Sequence, residues 1–104
     1  MENLIIYGQS KKSYTFVVYK AGYTNFPGTS GIYIISEMIK DYRSEYHLLL
    51  KIEYTNNLSA SLINHLSNAL VLGESDRYIC ILETDSHNAS EIIKDISSAN
   101  TIMN

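Results

Sequence analysis

Ser61 and His65 stand four residues apart in a stretch of helical apolar spacing, so a hydroxyl and an imidazole share one helix face with Asn68 close by. A serine beside a histidine is the beginning of a nucleophile. A single helix face offers this pair neither an orienting acid nor oxyanion donors, so it reads as structural. His47, His65 and His87 are widely spaced and follow no metal-ligand pattern. Cys80 lies in an apolar run, where a thiol serves as a small core residue. Lys11, Lys12 and Lys20 could form a small basic patch near the N-terminus, with Tyr14, Tyr19 or Tyr23 as platforms for bases to stack on. Against nucleic acid stand a formal net charge of −3 and only two arginines, Arg43 and Arg77. Glu91 follows Asn88 by three residues, the spacing of a helix-capping pair rather than of a catalytic acid.

The 104 residues suffice for one domain with one core. The apolar share of 45 % is ordinary for a globular chain, and no apolar run is long enough to span a bilayer. No basic segment followed by an apolar one opens the chain, so no secretory signal is expected. With the lone cysteine, this points to the cytoplasm. Nine tyrosines are the compositional bias; tyrosine suits amphipathic strands and interfaces.

The elements that must position these residues follow from hydrophobic period. Leu4–Tyr7 and Tyr14–Lys20 read as strands joined by the polar turn Gly8–Ser13, a hairpin. In the second strand Tyr14, Phe16 and Val18 share one face. Gly22–Ser30 is a loop containing the single proline. Ile32–Ser36 is a third strand, and the polar stretch Glu37–Glu45 connects it to the next, unless Met38 and Ile39 prolong it. The centre of the chain is Tyr46–His65. Leu48–Tyr54 forms a strand, Thr55-Asn56-Asn57 a turn, and Leu58, Leu62, Leu66 and Ala69 the apolar face of a helix running to about Leu70. After a turn at Gly73–Asp76, Arg77–Leu82 is a fifth strand, apolar enough to be buried on both faces. A last helix spans about Ala89–Ser98, capped by Asn88, with Ile92, Ile93 and Ile96 as its buried stripe and Ala99 as a possible continuation.

Gly31-Ile32-Tyr33 at the head of the third strand, then Lys51-Ile52-Glu53, Thr55, Asn57-Leu58-Ser59, Leu62 and His65, and finally Lys94-Asp95-Ile96, resemble the GIY-YIG nuclease superfamily, small stand-alone members in particular. The resemblance covers nearly the whole chain and implies an α+β fold: a small antiparallel β-sheet preceded by an N-terminal β-hairpin and flanked by helices. In that family a helix arginine steadies the scissile phosphate, a last-helix glutamate holds one divalent metal, and two tyrosines position or activate water. Here Ser61 stands at the arginine position and Ile93 at the glutamate position. Lys51 and Glu53 replace the tyrosine and glycine of the second signature strand. Of the catalytic set the matched positions that remain are Tyr33 and, as a second candidate, His65.

The resemblance therefore implies a catalytically inactive nuclease-like domain kept as a binding or regulatory module. Its expected partner is a protein, itself included as a homo-oligomer, with no membrane and no cofactor. Two alternatives remain. One is a residual nucleic-acid binder using Lys11, Lys12 and Lys20. The other is a metal-dependent endonuclease with relocated ligands, Glu91 or Glu53, which would need Mg²⁺ or Mn²⁺.

Overall fold

A computed structural model describes residues 2–20, 25–63 and 77–102. Among the described residues five strands and two helices are formed: β1 (Glu2–Tyr7), β2 (Ser13–Lys20), β3 (Gly31–Lys40), β4 (Glu45–Thr55), helical residues 58–63 (α1), β5 (Arg77–Glu83) and α2 (Ser86–Ala99). The architecture is α+β, a five-stranded antiparallel sheet curled into a half-barrel, in the order β1-β2-β5-β3-β4. The hairpin does not precede a separate sheet. β2 continues it by pairing Val17–Lys20 with Tyr78–Ile81 of β5.

Alternation along the strands gives the sheet two apolar faces. Phe16, Val18, Ile32, Ile34, Leu49, Ile52 and Cys80 form one core, which Ala89 and Ile96 of α2 close. Tyr33, Ile79 and Ile81 point the other way and pack with Phe26, Leu58 and Leu62. β3 and β5 are thus covered on both sides, as the apolar composition of Arg77–Leu82 predicts. Gly31 explains why β3 begins on a glycine. A Cβ there would stand 2.7 Å from the Leu82 carbonyl oxygen and 2.9 Å from Leu58 Cδ1.

Three boundaries differ from the sequence reading. β3 runs on through Glu37–Lys40, the alternative in which Met38 and Ile39 prolong the strand, and the connection shrinks to Asp41–Ser44, where the Asp41 N–H donates to the Ser44 carbonyl at 3.0 Å. The charges of that stretch decorate a strand end, and Lys40 lies 4.0 Å from Glu45. The cap of α2 is Asp85, not Asn88: its carboxylate accepts the Asn88 N–H at 2.9 Å, so the helix starts a turn earlier. Ala99 is exposed rather than part of the buried stripe. The pairing of β3 with β4 slips between Ile35 and Ser36, leaving Leu50 as an extra residue in β4.

Candidate functional site

Tyr33 of β3 and Lys51 and Glu53 of β4 meet on the α1 face. Tyr33 pairs across the ladder with Glu53, and Ile35 with Lys51. The Tyr33 ring is 2 % exposed, and its hydroxyl donates to Glu53 Oε2 at 2.7 Å. Lys51 Nζ lies 3.3 Å from Glu53 Oε1, so each carboxylate oxygen has a partner from the sheet. Burial, then the hydrogen bond to Glu53 and its charge, raise the Tyr33 pKa far above the ordinary phenol value. Tyr33 is therefore a neutral hydrogen-bond donor here, not an incipient phenolate.

The turn into α1 explains the other matched residues. The Asn57 side chain caps the helix by accepting the Ala60 N–H at 3.1 Å. Leu58 N–H donates to the Thr29 carbonyl at 2.9 Å and Ser59 N–H to the Pro27 carbonyl at 3.0 Å. The first N–H groups of α1 are thus committed to the chain itself, where a phosphate would otherwise find them. Ser61 shares a 2.6 Å hydrogen bond with the Thr55 hydroxyl. Thr55, Asn57, Leu58, Ser59 and Leu62 are the parts of a strand, a cap and a core.

Ile93 is not brought to this cluster. It packs against the core of Ile32 and Ile34, with the sheet between it and Tyr33. His65 lies outside the described residues. Lys11 and Lys12 sit at the hairpin turn and Lys20 at the far end of β2. The three lysines do not form one patch, because a strand of this length separates its ends by about 24 Å. Glu91 is exposed on α2. Among the described residues no group of three or more His, Cys, Asp or Glu side chains is placed to hold a metal ion.

Two further polar clusters were not foreseen. Asp95 holds the β1–β2 turn: Oδ1 accepts the Ser10 N–H at 2.8 Å, and Oδ2 accepts the Ser10 hydroxyl at 2.6 Å and the Tyr14 hydroxyl at 2.7 Å. The Asp95 carbonyl also accepts the Gln9 N–H at 3.0 Å. A Cβ on Gly8 would collide with this carboxylate. Ser10 and Tyr14 lower the Asp95 pKa, and Asp95 raises that of Tyr14. Beside the latch lies an open cavity of about 390 Å³, which Lys12, Asn88 and Glu91 also line. The aspartate was visible in Lys94-Asp95-Ile96, but nothing local to that segment names a turn more than eighty residues away.

The other cluster spans three strands. Buried Ser36 Oγ lies 2.8 Å from His47 Nδ1 and 3.9 Å from Cys80 Sγ, and the His47 ring meets Tyr78 edge-on at 5.3 Å. Burial lowers the His47 pKa against an opposing pull from Glu2, and it pushes the Cys80 thiol up to about 11. Ser36 and Cys80 are fully enclosed, which leaves neither as an accessible nucleophile. Among the described residues no helix is long and apolar enough to cross a membrane. Comparison of the chain with protein-family models, curated proteins and solved structures finds no match.

Proposed function

We propose that this chain is a catalytically inactive GIY-YIG-like domain acting as a binding or regulatory module through protein–protein contacts, self-association included. The observation that carries the reading is the linked set Tyr33–Glu53–Lys51. At the position of a signature glycine stands a carboxylate already engaged by a phenol and an ammonium group. A phosphodiester approaching this cleft would meet negative charge and would have to break that set. The residue at the metal-ligand position, Ile93, is an apolar side chain on the opposite sheet face, which supports the same reading. A net charge of −3 favours a protein partner over nucleic acid.

A thermal melt with Mg²⁺, Mn²⁺, single- and double-stranded DNA and RNA, beside light scattering for mass, tests this. Ligands of the folded state raise the melting temperature by mass action. The expected result is no shift with metal or nucleic acid and a mass above one chain. Metal-dependent plasmid cleavage abolished in Glu91→Ala or Glu53→Ala would replace the reading with a nuclease. A salt-dependent shift with nucleic acid would replace it with a nucleic-acid binder.

A further inference from the structure

The two outer strands of the half-barrel are built differently. β4 carries devices that discourage pairing: a bulge at Leu50 and the charges Glu45, Lys51 and Glu53 along its length. β1 has none of them after Glu2. It pairs with β2 in unbroken register from Glu2 to Tyr7, and its remaining sequence, Asn-Leu-Ile-Ile-Tyr, is uncharged.

Its outward backbone can be phased. The Gly8 N–H donates to the Lys12 carbonyl, so by alternation Ile6 and Leu4 turn their amide groups to β2, and Asn3, Ile5 and Tyr7 turn theirs outward. The Tyr7 carbonyl confirms this phase by accepting the Asn100 side-chain amide at 3.1 Å from outside the sheet. The Ile5 and Tyr7 side chains are 53 % and 61 % exposed. A cavity of about 380 Å³ runs along Leu4–Gly8, lined on its other sides by His47 and Leu49 of β4 and by Ala99 and Asn100 at the end of α2. Among the described residues, the outward backbone is therefore open at Asn3 and Ile5, while at Tyr7 the carbonyl is shared with Asn100.

From these features we infer that β1 is a pairing edge whose occupant is the β1 strand of a second copy, antiparallel about Ile5. This names the partner and the surface for the self-association already proposed, and it rests on that reading. The three outward residues are symmetric about Ile5, as a two-fold contact requires. Ile5 then faces Ile5, and Asn3 faces Tyr7, in the pairs that exchange both backbone hydrogen bonds. The exposed Ile5 side chains cover each other across the axis. Tyr7's carbonyl keeps a second lone pair beside the Asn100 amide. Charge fits as well. Glu2 of one copy falls opposite Gly8 of the other, next to the turn that carries Lys11 and Lys12.

The test is sedimentation equilibrium of the full chain across a concentration series. The wild type is expected at twice the 11.8 kDa chain mass, with self-association weakened by added salt. Ile5→Pro removes an outward N–H that the β1–β2 ladder does not use, and an edge strand accepts proline there. It deletes two intermolecular hydrogen bonds, raising the dissociation constant at least about thirtyfold. Ile5→Lys is the second probe: it sets two ammonium groups against each other across the axis while its own position is already half exposed. Both variants should melt like the wild-type monomer. A wild type that stays monomeric at every concentration overturns the inference. So does a dimer that Ile5→Pro and Ile5→Lys leave intact, although that result keeps the protein-binding reading, which fails only by the metal and nucleic-acid outcomes above.

Discussion

Replacing Gly31 with alanine tests the packing argument where three elements converge. The added methyl carbon would stand 2.7 Å from the Leu82 carbonyl oxygen, 2.9 Å from Leu58 Cδ1 and 3.1 Å from Glu83 Cα. Leu58 could yield by changing rotamer. The two β5 atoms could not, because β3 and β5 are paired at this point, Gly31 with Glu83 and Ile32 with Leu82. Relief requires the strands to part, and overpacking of this kind costs about 1–3 kcal/mol. Against it runs the lower entropy of an unfolded alanine, about 0.4–1 kcal/mol. A net loss of about 1–2 kcal/mol should lower the melting temperature by roughly 4–16 °C in a domain of this size. Gly28 is the internal control: a Cβ there meets nothing within 4 Å. Gly28→Ala should be neutral or slightly stabilising. Urea unfolding of the three proteins decides the matter. If Gly31→Ala unfolds within about 0.5 kcal/mol of the wild type, the close approach of β3 and β5 does not constrain this position and the reasoning is wrong.

The cap of α2 gives a sharper contrast: Asp85→Ala should cost about 1 kcal/mol, while Asn88→Ala should cost little, and equal losses in urea melts would contradict the cap geometry. The lone thiol should resist labelling at pH 8 in the native protein and react fully in denaturant; rapid native labelling by a thiol-specific reagent would show that Cys80 is not enclosed. Because the folded Asp95 pKa lies below the ordinary carboxylate value, its stabilisation is complete above about pH 4 and drains away as pH falls through the lowered value. Asp95→Asn should therefore flatten the acid limb of a plot of unfolding midpoint against pH, and an unchanged limb would refute the latch. Tyr14 and Tyr33 act at the other end: their raised pKa values hold stability below about pH 10 that is lost as pH climbs through the folded values. Tyr33→Phe should remove part of that alkaline decline, and a decline as steep as the wild type's would count against the Glu53 contact.

Much of the fold could be read in advance because strand period is local. The alternation of Tyr14, Phe16 and Val18 predicts which face enters the core, and Phe16 and Val18 are buried there. Asn57 before Leu58 marks a helix start for the same reason. Pairing is not local. Nothing in Val17–Lys20 says that its neighbour is β5 rather than β3, so the hairpin reads as an appendage when it is an integral part of the sheet. The polar run Glu37–Lys40 reads as a loop because it is charged, yet a strand end beyond the core can carry charge at no loss of pairing. At α2, Asp85 and Asn88 are both good caps, and only the geometry shows that the carboxylate accepts and the amide does not. The site follows the same division. Tyr33, Lys51 and Glu53 share a face that period two predicts. The separation of Ile93 depends on which face α2 covers, and the Asp95 latch depends on a contact across most of the chain.

That latch has a consequence for the order in which the molecule can assemble. β2 lacks its second neighbour until Arg77–Glu83 arrives, and the turn at Gly8–Ser10 lacks its clamp until Asp95 does. The opening hairpin is made first and secured last. Long loops must close before either contact repays its entropy, which makes for slow folding. During synthesis at about 5–20 residues per second, an unclamped pair of strands with an uncharged edge waits several seconds for the helix that completes it. If β1 is the pairing edge proposed above, the same interval is when a nascent chain pairs with a neighbour on the same message, so assembly of two copies begins before either is finished.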